Sequence, residues 1–193
     1  MTVTRWFSFA AVAIIATVLL AGCALGGDQA QQTHEVEPGA IVAVLPSRPG
    51  LSPAGPVTPV DAAGYATALV GHPDAALASS LSDAGFRRGA TRTWTGADGA
   101  SLTAAVGLWD DGEPANAIGG QAVDAMVPDG QAWNPAEFGG SQGARSDTAR
   151  ALSVVVGRVS LFLRATGTVD DAAVLRQMDL MRQSAAGTGS DNG

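Results

Sequence analysis

The sequence predicts an α+β domain, with a four-stranded, mostly antiparallel sheet and helices packed on one of its faces. Two observations carry this prediction. Residues 102–108 and 152–165 alternate large apolar residues with small or polar ones, at the period of two that a half-buried strand requires. Each of these segments is followed by apolar residues at helical spacing, introduced by two adjacent aspartates.

Two short helices are predicted ahead of the sheet. The first begins near Asp61 and places Tyr65 on its apolar side, and the Gly-His-Pro-Asp sequence at residues 71–74 ends it. Asp74 caps the second helix, because an aspartate accepts hydrogen bonds from the free N–H groups of a first turn. Gly85 ends the second helix, since glycine readily adopts the left-handed conformation found there.

The first predicted hairpin spans residues 91–108, with its turn at the Gly-Ala-Asp-Gly sequence of residues 96–99. Asp110 and Asp111 then open a helix, because acidic side chains stabilise the positive N-terminal end of a helix. The apolar face of this helix is formed by Ala115, Ile118, Ala122 and Met126.

A long polar loop at residues 128–145 leads to a second hairpin, which turns at residues 157–158. Asp170 and Asp171 introduce the last helix. The apolar stripe of that helix consists of Val174, Leu175, Met178 and Met181.

The two halves share the order of hairpin and then helix. A shift of 57 residues (159 minus 102) places residues 102–108 on residues 159–165, and Ala115 on Ala172. This similarity indicates a possible internal ββα duplication. Two unrelated amphipathic hairpin–helix units would align equally well, and both interpretations stay open.

The composition restricts the available chemistry. The chain of 193 residues has a formal net charge of −7, no lysine and a single cysteine. One cysteine excludes an internal disulfide, a CxxC redox pair and a zinc site built from several thiolates. The acidic balance provides no electrostatic attraction to nucleic acid.

Residues 1–22 are predicted to be a signal peptide. An apolar run at residues 6–19 follows Arg5, and as a helix its ~14 residues would extend ~21 Å. That length is shorter than the ~30 Å hydrocarbon core of a bilayer, so the run is typical of a secretory signal.

The apolar run ends in Leu20-Ala21-Gly22-Cys23, an aliphatic residue and two small residues before a cysteine. This sequence resembles the lipobox of bacterial lipoproteins. The resemblance implies cleavage between Gly22 and Cys23, diacylglycerol on the Cys23 sulfur, and an anchor in the cell membrane. An ordinary signal with a chance cysteine and an uncleaved membrane anchor are the alternatives.

Residues 23–59 are rich in proline and glycine, which is typical of a flexible tether. Residues 41–45 are the exception: they are β-prone and predict either an edge strand docked on the domain or a short extended arm. The folded domain is predicted at residues 60–185, and residues 186–193 form a polar tail expected to be disordered.

The sequence contains no recognisable catalytic set. His34 and His72 lie too far apart for zinc-ligand spacing, and the acids at residues 110–113 do not match a calcium-binding loop. No G-x-S-x-G elbow or phosphate-binding glycine loop is present. We therefore expect a protein that is not an enzyme and needs no cofactor or metal.

Two features are candidates for contact with a ligand or partner. Arg87, Arg88 and Arg92 form a basic cluster that would bind a carboxylate or phosphate if their side chains shared a face. Trp133 lies in the long polar loop and is the tryptophan most expected to be exposed. Corresponding arginines in the second half are Arg145, Arg150, Arg158 and Arg164.

Residues 60–185 combine Gly85-Phe86, the arginines, Trp94, an alternating strand and an alanine-rich helix. This order resembles small actinobacterial surface lipoproteins, and the resemblance implies binding or sensing without catalysis. The sequence thus predicts a lipid-anchored, extracytoplasmic domain that binds an envelope component. A carrier of lipid or glycolipid, with a cavity between sheet and helices, is the alternative.

Overall fold

The structure, a computed structural model, describes residues 36–43 and 51–187. The predicted signal peptide, its cleavage site at Gly22 and Cys23, most of the predicted polar tail, and part of the predicted tether lie outside the described residues. The described helices are α1 (Pro38–Ala43), α2 (Ala62–Val70), α3 (Ala75–Asp83), α4 (Gly112–Met126) and α5 (Asp171–Gly187). The described strands are β1 (Leu51–Pro53), β2 (Thr58–Val60), β3 (Phe86–Gly96), β4 (Ser101–Trp109), β5 (Gln131–Ala132), β6 (Gln142–Arg145), β7 (Ala149–Val156) and β8 (Val159–Thr166).

All eight of these strands join one antiparallel sheet, in the order β1-β3-β4-β8-β7-β6-β5, with β2 also paired to β3. The mixed α and β class is confirmed, and the predicted four strands form the centre of the sheet. The predicted number of strands was too low. The four additional strands contain two to four residues each, which is too short for an alternating pattern to be recognised.

Helices cover both faces of the sheet, whereas the sequence predicted helices on one face. On the face we call face A, α1 and α5 pack against the large apolar residues of β4 and β8, such as Leu163. On the opposite face, face B, α2, α3 and α4 pack against Ala105, Phe162 and Trp109. The small residues of β4 on face B let helices approach the sheet closely.

The proposed shift of 57 residues does not describe a structural repeat. It matches the face-A residues of β4 with the face-A residues of β8, as in Ala104 and Leu161. The helix after β4 nevertheless packs on face B, and the helix after β8 packs on face A. A duplication that related β4 to β8 with matching residues on face A would also place the two following helices on the same face. The observed helices lie on opposite faces.

Residues 36–43, which precede the predicted start of the folded domain at residue 60, belong to the same compact unit as the sheet. Residues 38–43 form helix α1, so the prediction of an edge strand at residues 41–45 is wrong for the part that is described. Ile41 and Val42 are fully buried against face A. The burial of these two side chains outweighs the β preference of the local sequence, because tertiary packing commonly overrides weak propensities.

The predicted helix starts are confirmed by their capping contacts. Asp61 accepts a hydrogen bond from the Gly64 N–H at 2.9 Å, and Asp74 accepts one from the Leu77 N–H at 2.9 Å. Gly71 ends α2 at a φ of 89°, a conformation that favours glycine. Across residues 36–43 and 51–187, no helix combines the length and the apolar character that crossing a bilayer requires.

A buried polar contact joins α2 to the sheet beneath face B. The Ser160 hydroxyl accepts a hydrogen bond from Trp109 Nε1 at 2.7 Å and lies 2.8 Å from the Tyr65 hydroxyl. The Tyr65 and Phe86 rings stack with centroids 4.8 Å apart, and Trp109 meets both rings edge-on. Because each polar atom has a partner, this aromatic cluster can be buried without unpaired groups.

Candidate functional site

A polar cleft of about 540 Å³ lies at the edge of the sheet where β5, β6 and β7 meet the start of α5. Polar and charged side chains line it throughout: Asp129, Gln131, Arg145, Ser146, Asp147, Arg150 and Asp171. Its volume falls within the range of small-molecule sites, and its lining is more polar than that of most such sites.

The β6–β7 turn brings two arginines together in this cleft. Arg145 and Arg150 are cross-strand partners, so their side chains project from the same face of the sheet. Ser146 closes the turn, because its N–H donates to the Ala149 carbonyl at 2.8 Å and its hydroxyl accepts from the Ala149 N–H at 3.1 Å. The register of this turn therefore fixes the spacing of the two guanidinium groups.

Asp171, the first residue of α5, receives both guanidinium groups. Arg145 Nη1 donates to Asp171 Oδ2 at 2.7 Å, and Arg150 Nε donates to Asp171 Oδ1. The side chains of Arg150, Asp171 and Arg145 are 18%, 30% and 45% exposed, so the cluster runs from the protein surface inward. The hydrogen bond from Arg150, assisted by that from Arg145, lowers the pKa of Asp171 below its ordinary value.

The cleft has donors for an additional oxyanion. A guanidinium carries five N–H donors, and the contacts with Asp171 use one from each arginine. The half-exposed Arg145 can therefore donate to a carboxylate or phosphate oxygen while Asp171 remains in place. Three aspartates and two arginines line the cleft, giving it a formal charge of −1, so a ligand with several negative charges would be repelled.

The predicted cluster of Arg87, Arg88 and Arg92 does not form one site. Arg87 lies at an irregularity in β3, pairs with Asp110 and lines a groove of about 460 Å³ on face B. Arg88 pairs with Glu37 next to α1 at 2.8 Å, on face A. Successive side chains along β3 point to opposite faces of the sheet, so Arg87 and Arg88 are separated although they are adjacent in sequence.

Arg92 is held by an aromatic contact within β3. Its guanidinium carbon lies 5.1 Å from the centre of the Trp94 ring, two residues away on the same face of the strand. Trp94 itself is buried in the face-A core.

Trp133 is buried, contrary to the prediction that it would be an exposed contact. It is 9% exposed and belongs to the face-A core together with Phe138. The backbone N–H of Trp133 donates to the Gly143 carbonyl at 2.8 Å, and the Asn134 side chain accepts from the Gly143 backbone N–H at 3.2 Å. These bonds fold the glycine-rich loop back over the sheet. The Trp133 side chain is therefore covered, although the polar composition of the loop indicates an exposed residue.

The second-half arginines also separate in the structure. Arg145 and Arg150 meet in the cleft, Arg158 is exposed in the β7–β8 turn, and Arg164 lies on face B of β8. The sequence pattern identifies Asp171 only as a helix-start residue. The short polar segment between Arg145 and Arg150 is the signal that predicts a tight turn and therefore paired arginines.

An apolar hollow of about 290 Å³ lies between the sheet and the C-terminal end of α5. It is bordered by Val36, Leu108, Val156, Val159 and the last turns of α5. Elsewhere the space between sheet and helix is filled by side chains with no exposure, such as Leu161, Leu163 and Met178. Among the described residues, no group of three or more His, Cys, Asp or Glu side chains has the geometry of a metal site.

The described residues thus define a mixed domain of helices and strands around one antiparallel sheet, with a polar cleft at its edge. No protein-family model matches the sequence, and no curated protein matches it. A solved structure with a similar arrangement is the extracellular domain of PknH from Mycobacterium tuberculosis, at 9% identity and a TM-score of 0.47, covering 79% of this chain and 92% of that one. Since one architecture supports many functions, this degree of likeness assigns neither a family nor a ligand.

Proposed function

We propose that this chain is a lipid-anchored, extracytoplasmic and non-enzymatic binding protein, whose polar cleft takes an anionic group of an envelope component. The observation that carries the binding function is the convergence of Arg145 and Arg150 on Asp171 within a 540 Å³ cleft. Paired guanidinium groups favour planar carboxylates and phosphates, and the cluster already holds one carboxylate.

The anchor follows from the Leu20-Ala21-Gly22-Cys23 sequence. Diacylglycerol on Cys23 would hold the domain at the outer face of the cell membrane, because two acyl chains bind a bilayer far more firmly than one. The experiment is expression of the chain and of Cys23→Ala in a bacterium with the lipoprotein maturation enzymes. We expect an acylated N-terminal peptide by mass spectrometry and membrane localisation, both lost in the variant. An unacylated Cys23 peptide in the membrane fraction would contradict the anchor.

The cleft is tested separately with simple anions. Acetate and glucuronate, each with a single negative charge, are titrated into the ¹⁵N-labelled full chain in non-ionic detergent, and amide shifts are followed by NMR. We expect saturable shifts at residues 129–131 and 145–150. Arg150→Gln should weaken this binding by about tenfold or more, because it removes a charge-assisted hydrogen-bond donor.

Arg158→Gln is the matched control, because it removes the same charge from an exposed turn outside the cleft. Equal weakening by Arg150→Gln and Arg158→Gln would mean that only net charge matters. That result would remove the support for a specific binding cleft.

The apolar hollow supports the second candidate, a lipid carrier. Its 290 Å³ lies at the lower limit of ligand-sized cavities, and its lining is mainly aliphatic. Native mass spectrometry of protein purified from membranes tests it. A bound lipid in addition to the Cys23 modification, lost when Val156→Trp fills the hollow, would favour the carrier. A chain without extra lipid, cross-linked to an envelope protein, would favour the binding module.

A further inference from the structure

Arg164 is a half-buried cation that the cleft does not use. It projects from the middle of β8 onto face B, and burial lowers the pKa of its guanidinium. Within residues 36–43 and 51–187, no carboxylate forms an ion pair with it, and its guanidinium makes no hydrogen bond. A partly desolvated charge without a counter-ion is costly, so its retention at this position calls for an explanation.

The end of α2 holds this guanidinium in place. Arg164 Nη1 packs so closely against Gly71 that a Cβ atom there would lie 1.9 Å from it. Gly71 ends α2, and the C-terminal end of a helix carries partial negative charge that attracts a cation. This contact positions the side chain while leaving its N–H groups without acceptors among the described residues.

Two pairs of hydroxyl groups lie on the same face beside Arg164. Thr103 is its cross-strand partner and lies 3.1 Å from the Thr93 hydroxyl, oxygen to oxygen. One register step further, the Ser101 and Thr166 hydroxyl oxygens are 2.9 Å apart. Within each pair, one hydroxyl donates its hydrogen to the other, and the second hydroxyl retains its own O–H group as a donor. Neighbouring strands are only about 4.8 Å apart, which places these donors around the arginine.

We propose that Arg164 and these four hydroxyl residues form a second binding site, on face B, for a single oxyanion carried by a hydroxyl-rich molecule such as an acidic sugar. The guanidinium supplies charge and N–H donors, and the two hydroxyl pairs supply O–H donors and acceptors for neighbouring hydroxyl groups. This site goes beyond the proposed function of the polar cleft, because Arg145 and Arg150 lie on the opposite face of the sheet.

The experiment titrates glucuronate, inorganic phosphate and neutral glucose into the ¹⁵N-labelled full chain in non-ionic detergent. We expect saturable NMR shifts for glucuronate at the amides of Gly71, Thr93, Ser101 and Thr166. Phosphate should shift the same amides, because its oxygens also accept hydrogen bonds from the guanidinium. Glucose should leave them unchanged, because it cannot pair with the guanidinium.

Arg164→Gln should weaken the face-B shifts by at least about tenfold, while Arg164→Lys retains part of the binding. Arg150→Gln, which alters the polar cleft, should leave the face-B shifts unchanged. Unaltered shifts in Arg164→Gln, or shifts confined to residues 129–150, would overturn the inference. Circular dichroism of each variant shows whether a lost signal reflects a lost fold.

Discussion

Raising the pH above 10 should destabilise the domain through one side chain, Tyr65. Tyr65 is 1% exposed, and burial raises the pKa of its hydroxyl, an effect that the hydrogen bond with Ser160 only partly offsets. The chain contains one tyrosine and no lysine, so no other side chain of the domain titrates near pH 10. The difference between the wild type and Tyr65→Phe on the alkaline limb of the stability curve therefore reports this group.

The size of the effect follows from proton linkage. Above pH 10 the unfolded chain loses the tyrosine proton while the folded domain retains it, so the free energy of unfolding falls as pH rises. The fall is on the order of 1 kcal/mol at pH 11 and about 2 kcal/mol at pH 11.5, relative to pH 8. Below pH 10 the contribution of Tyr65 is complete and independent of pH.

The assay is urea unfolding of the full chain in non-ionic detergent, followed by tryptophan fluorescence between pH 8 and pH 11.5. Tyr65→Phe is the matched control, because it retains the ring and removes the ionisable hydroxyl. Tyrosinate absorbance of the folded protein gives a second measurement, and it should appear well above pH 10. A wild-type stability that stays flat, or a fall of the same size in Tyr65→Phe, would show that ionisation of Tyr65 does not destabilise the domain.

Three further predictions concern stability. Ser160→Ala should lower the free energy of unfolding by about 2–4 kcal/mol, since it leaves the buried Trp109 N–H and the Tyr65 hydroxyl without their shared partner, and adding Tyr65→Phe should recover part of that loss in urea unfolding. Leu161→Arg should prevent folding, as judged by circular dichroism, because it places a charge at a position with no exposure; Ala125→Arg on the exposed side of α4 should fold normally. Asp171→Asn should cost about 1 kcal/mol near neutral pH. Because the pKa of Asp171 is lowered, the wild-type advantage should disappear in urea titrations as pH falls below about 4.

Local patterns predicted the elements that are long enough to show a period. The centre of the sheet, the caps at Asp61 and Asp74, and the helix after Asp111 all match the structure. The residue pattern did not predict helix α1, because its six residues form a helix only while Ile41 and Val42 are buried against the sheet. A helix so short gains its stability from packing rather than from its own sequence.

The candidate site was predicted only as a set of residue types. Arginines able to hold a carboxylate or phosphate were expected, and two of them, Arg145 and Arg150, meet in the cleft. Their partner Asp171 is 21 residues away from Arg150 in the chain, and no spacing rule connects them. The first-half arginines, adjacent in sequence, separate because successive residues of a strand face opposite sides of the sheet.

Local sequence alone predicts the fold class and the anchor at Cys23, and it excludes an internal disulfide and a multi-thiolate site. These depend on composition, short periods and contiguous motifs, all of which are local. Three features become visible only in the folded domain: helices cover both faces, Trp133 is buried, and Arg145, Arg150 and Asp171 share one cleft. Such features depend on strand order and register, which arise from contacts between residues distant in the chain.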